Sequence, residues 1–263
     1  MKADHRRILI LCKTYPSPSS KYVETSCVAG MDESGQLVRL FPVPFRLITD
    51  DQQFKKWQWI EARVRKSTDD RRSESHRISV DTIQTLGTPL STRDAWAERR
   101  LALNGVEVFD DFEQLEAARQ SRLVDVLISK GNSADWTADE VAKLMQEQNQ
   151  GSLFDHDAEQ RSLKLLKKLP FDFHYQYECV VDGVTKSYKN KLVDWEAGAL
   201  YWNIHRRTDW QNAFRQKWLT EFSQKDVMFL MGTIHRFPSQ WLIVSVLYPP
   251  KLPPEAADQG RLF

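Results

Sequence analysis

The sequence is poor in the residues and runs that mark secreted or membrane proteins. Its three cysteines, Cys12, Cys27 and Cys179, are too few and too scattered for a disulfide framework or a zinc site. The longest apolar runs, such as 8–12 and 241–247, are far shorter than the ~18 residues that a membrane-spanning helix needs. Residues 1–7 are charged and lead into only a short apolar stretch, which is unlike a secretory signal. We therefore expect a cytoplasmic protein without a membrane partner.

The usual motifs of catalysis and cofactor binding are missing as well. None of the six histidines stands three or four residues from another, as pairs of metal ligands commonly do. The ten glycines form neither the GxGxxG of dinucleotide sites nor the GxxxxGK of phosphate loops, and no GxSxG elbow occurs. The sequence therefore predicts no catalytic residues, no bound metal and no cofactor.

Acidic residues keep one enzymatic alternative open, namely Glu24, Asp51, Glu61, Asp194 and Glu196. Glu24 and Cys27 are three residues apart on a predicted strand, which places them on opposite faces. Asp51 and Glu61 with Arg63 resemble the acidic pair and base of metal-dependent nucleases, although such sites normally carry lysine in place of this arginine. The pair at 194 and 196 is better explained by the first turn of a helix, where negative charge is favourable. The alternative function is a metal-dependent nuclease or a nucleic-acid-modifying enzyme.

What the chain does contain is enough apolar material for two cores, with 41% apolar residues and nine tryptophans. The first 66 residues favour β structure, with predicted strands at 7–15, 23–31, 36–43 and 57–66. The residues Asp32–Gly35 suit a hairpin between the second and third strands. Helices are predicted near 92–104, 110–119 and 136–148, with a strand at 123–128 between the last two. Together these elements predict a first domain over residues 1–148.

A polar stretch without apolar periodicity, residues 149–160, is interpreted as a linker. The second domain, 161–252, begins with aromatic residues that alternate along a predicted strand at 171–177, followed by a hairpin at Asp182-Gly183. Helices are expected near 192–205 and 210–223, and strands at 226–234 and 240–248. Core packing is the favoured explanation of the aromatic strand and of the aromatic stripe at 210–222. Residues 253–263 are predicted to be a flexible tail.

Net charge is only +1, but basic residues concentrate between positions 55 and 77, with eight Lys or Arg against four acids. Proteins that hold single strands combine basic grooves with aromatic side chains on which bases stack. Two segments interleave such residues and are the candidate nucleic-acid contacts: Lys55, Lys56, Trp57, Trp59, Arg63 and Arg65, and in the second half Lys186, Tyr188, Lys189 and Lys191. Core packing of Trp57 and Trp59 is an equally open interpretation.

A short peptide pattern occurs twice, at Gln150, Leu153 and Phe154 and again at Gln259, Leu262 and Phe263. Both copies have the form Gln-x-x-Leu-Phe and lie in the predicted linker and tail. The pattern resembles the pentapeptide by which bacterial replication and repair proteins dock on the β sliding clamp. Such peptides bind reversibly through a few anchoring side chains. The clamp is therefore a candidate partner.

Longer stretches carry a second resemblance: CKTYPSPSSKYVETSCVAG at 12–30, RLFPVP at 39–44, DWEAGALYWN at 194–203, the KD and GT pairs between 225 and 233, and YPPK at 248–251. Together they resemble a bacterial family described as a dual OB-containing domain. The resemblance implies an α+β chain of two small OB-like β-barrel domains with helical insertions. It also implies a nucleic-acid-binding role, with DNA favoured, in genome maintenance such as DNA repair or in mobile-element (phage) defence. The favoured function is a non-enzymatic nucleic-acid-binding accessory protein.

Overall fold

The computed structural model describes residues 4–19, 23–70, 72–106, 125–130, 169–181, 183–234 and 237–253. The first half contains strands β1 (Asp4–Lys13), β2 (Ser17–Ser19), β3 (Val23–Asp32), β4 (Leu37–Val43), β5 (Trp59–Lys66), β6 (Ser75–Ile78) and β7 (Gln84–Leu86), then helix α1 (Arg93–Leu103). The second contains β8 (Asp125–Lys130), β9 (Phe171–Val181), β10 (Val184–Leu192), helices α2 (Trp195–Ile204) and α3 (Trp210–Arg215), β11 (Met228–Ile234) and β12 (Phe237–Leu247). A π-helical segment, Gln216–Glu221, continues α3.

Five strands of the first half close into a barrel in the order β1-β3-β4-β6-β5, and β5 pairs back onto β1. All of these pairs are antiparallel except β4 with β6, which is parallel. Alternation along each strand sends every second side chain inward, so Ile8, Ile10, Leu40, Ile60 and Val64 fill the interior. The predicted mixed α+β class and the predicted barrel of the first half are confirmed.

The second half is built on a five-stranded sheet in the order β11-β12-β10-β9-β8, again with one parallel pair, β10 with β12. When the five barrel strands and the five strands of this sheet are each numbered in chain order, both arrangements read 1-2-3-5-4. Among the described strands, β8 and β11 stand at opposite edges of an open sheet, whereas the sequence predicted a second barrel. The predicted hairpin is confirmed, because Val184 pairs with Val181 across a two-residue connection.

The core of the second half is aromatic, as the alternation and the helical stripe predicted. Phe173, Tyr175 and Tyr177 on β9 are buried against residues of α3 and of the π-helical segment that follows it. Phe173 and Phe214 stack at 4.4 Å, and the Tyr175 hydroxyl donates to the Trp218 carbonyl at 2.6 Å. No helix among the described residues is long and apolar enough to cross a membrane.

The end of the first domain lies earlier than the predicted residue 148. Strand β8, at 125–130, pairs with β9 from residue 125 to residue 130 and so belongs to the second sheet. Sequence reasoning placed this strand correctly but assigned it to the wrong half, because its partner follows it by more than 40 residues. The predicted helices at 110–119 and 136–148 and the predicted linker lie outside the described residues.

The two halves share a core. Leu9, Leu11 and Met31, on the outer face of β1 and β3, pack in one cluster with Leu230 and Leu247 of the second sheet. The second half therefore covers the β1–β3 face of the barrel. The strands β4, β6 and β5 lie on the remaining part of the barrel wall.

Candidate nucleic-acid interface

The predicted base-stacking role of Trp57 is wrong, because its side chain is only 2% exposed. Its ring meets that of Trp96 edge to face at 5.6 Å, and the Arg99 guanidinium lies 4.9 Å from the Trp57 ring centre. The backbone at Trp57 has a φ of 66° and is held by hydrogen bonds to Ile10 and Leu90. Trp57 lies just before strand β5, and its ring is buried against Trp96, where bases cannot reach it.

Lys56 is also unable to hold phosphates, since its ammonium is buried between the two halves. Nζ lies 3.2 Å from a Glu196 oxygen, 3.7 Å from Asp194 and 3.2 Å from the Val246 carbonyl. Burial alone lowers the pKa of Lys56, but the carboxylates of Asp194 and Glu196 outweigh it and keep the pKa above its usual value. The lysine is a structural cation of the interface between the halves.

Asp194 is the N-cap of α2, as expected for acidic residues at a first helical turn. Its carboxylate accepts hydrogen bonds from the Glu196 N–H at 2.8 Å, the Ser245 hydroxyl at 2.9 Å and the Val246 N–H at 3.3 Å. Burial raises the pKa of Asp194, and the nearby Lys56 partly offsets that increase. One carboxylate thus caps a helix, ties it to β12 and neutralises a buried lysine.

The barrel and α2 also interlock through Tyr15, just beyond the end of β1. The Tyr15 N–H donates to the Val193 carbonyl at 2.9 Å, and the Trp202 indole donates to the Tyr15 hydroxyl at 2.8 Å. The Tyr15 ring lies so close to Gly198 that a Cβ there would be 2.3 Å from a ring carbon. We call the contact surface formed by Tyr15, Lys56, Asp194, Gly198 and Trp202 the junction. Two of the stretches that carry the family resemblance, 12–30 and 194–203, meet here, which gives them a structural role.

Lys13 lies beside the junction and is enclosed by aromatic rings. Its ammonium is 3.4 Å from the ring centre of Phe45 and 5.0 Å from that of Trp195. Burial lowers its pKa to about 8, although Glu196 and Asp194 act in the opposite direction. Trp195 packs against the interior cluster of the barrel, so the start of α2 covers part of the barrel core.

The other predicted residues of the first half are more accessible. Arg63 and Arg65 are exposed on the outer side of β5, and Lys55 is exposed on the loop before it. Trp59 is half-buried against the cluster shared by the halves. Among the predicted residues of the first half, Lys55, Arg63 and Arg65 are therefore exposed, and the two arginines lie together on one strand.

The four predicted residues of β10 do not form one surface. Residues directly opposite each other in an antiparallel pair share a face. Tyr188 is opposite Tyr177, with ring centres 5.6 Å apart, and so lies on the aromatic core side together with Lys186. Lys189 and Lys191 point to the other side, where Lys191 pairs with Asp172 at 2.6 Å.

A basic surface that sequence reasoning found only in part lies on the outer wall of β4, β6 and β5. We call it the arginine face, and it consists of Arg39, Phe41, Arg63, Arg65 and Arg77. Arg65 is directly opposite Arg77 in the β5–β6 pair. Arg39 is level with Ser75, so the next outward residue of β4, Phe41, lies toward Arg77. Val38 and Leu40 alternate with Arg39 and Phe41 along β4, and this alternation indicates that Arg39 and Phe41 face outward. Strand β6, which carries Arg77, is too short to predict from the sequence.

Acidic residues neutralise part of the arginine face. Arg77 is paired with Asp69, and Arg39 lies 3.1 Å from Asp70. Burial alone would raise the pKa of Asp70, but hydrogen bonds from Arg72 and Ser75 bring it well below its usual value. Within the described part of the chain, neither Arg63 nor Arg65 forms an ion pair. The guanidinium of Arg39 lies 4.8 Å from the Phe41 ring centre, and Phe41 is 39% exposed.

The carboxylates of the nuclease alternative lie in different settings. Glu24 is buried and pairs with Arg46 at 3.3 Å, and burial raises its pKa despite this arginine. Glu61 faces outward beside His5 and Arg7, whereas Asp51 is exposed on the loop between β4 and β5. Across the ranges that the structure describes, no three His, Cys, Asp or Glu side chains are grouped closely enough to hold a metal ion.

Both halves of the chain match protein families. Residues 4–105 match a family described as Domain of unknown function (DUF8758). Residues 109–263, more than half of the chain, match another described as Domain of unknown function (DUF8757). The division falls between α1 and β8 and agrees with the pairing of β8 in the second sheet. No curated protein and no solved structure matches the chain.

Proposed function

We propose that this chain, which belongs to the DUF8757 family, is a non-enzymatic nucleic-acid-binding accessory protein of genome maintenance or mobile-element defence. The observation that carries the proposal is the arginine face, where Arg63 and Arg65, which form no ion pair with any described residue, share one wall of a closed barrel with the exposed ring of Phe41. Arginine suits phosphate recognition because its planar guanidinium donates several hydrogen bonds in fixed directions.

The strand order supports an OB-type fold for the barrel. Five strands in a Greek-key order with a single parallel pair are typical of this fold, which often binds oligonucleotides. The same order in the second sheet supports an opened version of that fold. The chain would then contain two related units, of which the first is closed.

We expect purified protein to bind a fluorescein-labelled oligo-dT, with affinity that decreases as salt increases. Each phosphate contact in a single strand contributes about −0.7 to the slope of log K against log salt. Fluorescence anisotropy over a series of NaCl concentrations measures that slope. The labelled dye without the oligonucleotide is the control. No binding at low salt, or binding that salt leaves unchanged, would contradict the proposed function.

The two Gln-x-x-Leu-Phe peptides lie outside the described residues, and we propose that they tether the protein to the β sliding clamp. Deleting residues 259–263 should weaken capture on immobilised clamp, because the Leu262-Phe263 pair would supply the apolar anchors. A Leu153→Ala/Phe154→Ala variant tests the first copy in the same pull-down. Capture that survives both changes together would contradict the tether without affecting the proposal about nucleic acid.

A further inference from the structure

We propose that the arginine face binds a single-stranded nucleic acid, and that the β1–β3 wall of the barrel takes no part. This inference rests on the proposed function and specifies its surface and its ligand. It involves three residues outside the predicted set, Arg39, Phe41 and Arg77.

The covered side of the barrel is the first reason. Leu9 and Leu11 are 0% and 1% exposed, although they point away from the barrel interior. They pack in one cluster with Leu230 and Leu247 of the second half and with Trp57, Trp96 and Leu103 of the first. Met31 on β3 is 3% exposed and belongs to the same cluster. A ligand on this wall would have to displace Leu230 and Leu247 from an apolar core. The arginine face needs no such rearrangement.

The arrangement of charge is the second reason. Arg63 and Arg65 stand two residues apart on β5, and side chains at that spacing on one strand face are about 6.6 Å apart. Arg77 lies on the neighbouring strand at about 4.8 Å. Three guanidinium groups therefore form a compact group that can contact successive phosphates of one strand. The cations complement a polyanion. Arg77 is paired with Asp69, whereas Arg63 and Arg65 form no ion pair among the described residues.

The exposed ring is the third reason and determines the kind of ligand. One side of the Phe41 ring is contacted by the Arg39 guanidinium, and the ring remains 39% exposed. Guanidinium and phenyl groups together offer a surface on which a base can stack. Bases in a duplex are already stacked on each other and cannot reach a ring on a barrel wall. A single strand can turn one base toward Phe41 while its phosphates contact the arginines.

The test compares matched variants by anisotropy with labelled oligo-dT. Phe41→Ala should weaken binding about 5- to 150-fold, the range for loss of one stacked base. The exposed Phe237, on the other half, is the matched control, and Phe237→Ala should leave affinity unchanged. Arg63→Ala/Arg65→Ala should reduce the salt slope by about 1.4, because two phosphate contacts are lost. Lys189→Ala/Lys191→Ala is the matched control pair on the second sheet and should leave the salt slope unchanged.

The outcomes separate this inference from the function on which it rests. Absence of binding by the unmodified protein contradicts the proposed function, and the inference fails with it. Normal binding by the Phe41 and arginine variants contradicts the arginine face alone, whatever the result for the lysine pair. Equal or tighter binding of a duplex of the same length contradicts the single-stranded ligand. Equal binding of oligo-U supports the inference, since stacking and phosphate contacts do not distinguish the two sugars. All of these substitutions are at exposed or half-exposed positions, and unchanged thermal unfolding verifies that each variant is folded.

Discussion

The Lys56→Met variant is expected to lose about 3–5 kcal/mol of unfolding free energy, because it leaves the buried carboxylate of Asp194 without its cation. Asp194 is 2% exposed and keeps its hydrogen bonds from Ser245 and Val246, but these do not supply a full compensating charge. Urea denaturation of both proteins at neutral pH measures the difference. The adjacent Lys55, which is exposed, provides the control, and Lys55→Met should change stability by less than about 0.5 kcal/mol.

The deficit of the Lys56→Met protein should also depend on pH. Burial already raises the pKa of Asp194 in the folded state, and loss of Lys56 raises it further. A carboxyl group whose folded pKa exceeds its unfolded pKa destabilises the protein above that range and ceases to do so as it takes up a proton. The deficit should therefore shrink as pH decreases, and adding Asp194→Asn should recover much of it at neutral pH. A loss equal to that of Lys55→Met, without pH dependence, would show that the ion pair has no structural role.

The Gly198→Ala variant is expected to be destabilised by about 1–3 kcal/mol, the usual cost of forcing atoms into a packed site. Alanine in a helix is intrinsically favourable by about 1 kcal/mol relative to glycine, so an open position would give the opposite sign. Here the new methyl group would lie 2.3 Å from the Tyr15 ring. Either the ring leaves its position on α2 or the helix moves, and both disturb the junction.

A double-mutant cycle with Tyr15→Ala distinguishes this contact from a general effect of the substitution. In the Tyr15→Ala background the space beside Gly198 is empty, and Gly198→Ala should become neutral or stabilising. Thermal unfolding of the four proteins supplies the coupling energy. The same loss of stability in both backgrounds would contradict the packing of Tyr15 against the helix.

Local patterns in the sequence predicted most of the fold. Alternation and turn residues located β3, β4 and the hairpin between β9 and β10 to within one or two residues. The short strands β6 and β7, of four and three residues, were missed because three or four residues are too few to show an alternating pattern. The domain boundary was misplaced because β8 finds its partner in a distant segment, and a pairing of that kind leaves no local pattern.

The candidate site was harder to predict for a related reason. Lys56 and Trp57 follow a basic residue in the chain and have the composition of a nucleic-acid contact. Trp57 is nevertheless buried, and the Lys56 ammonium is held by Asp194 and Glu196. The acidic partner of Lys56 at Glu196 is 140 residues away, and no local pattern identifies it. Arg39, Phe41 and Arg77 become one surface only when the barrel closes and the opposite wall is covered. Arg63 and Arg65 were found because exposed alternation on a single strand is a local property.

The apolar contact between the β1–β3 wall and the second sheet has a consequence for how the chain is inherited. Matches to two families suggest two modules, but Leu9, Leu11 and Met31 would lose the cover of Leu230 and Leu247 if the first were separated from the second. Contiguous apolar surface of this kind promotes aggregation in an isolated domain. A change on one side of the contact must therefore be tolerated by the other, and we expect the two segments to change together in evolution. Recombination that pairs either segment with an unrelated neighbour would leave both without a matching surface.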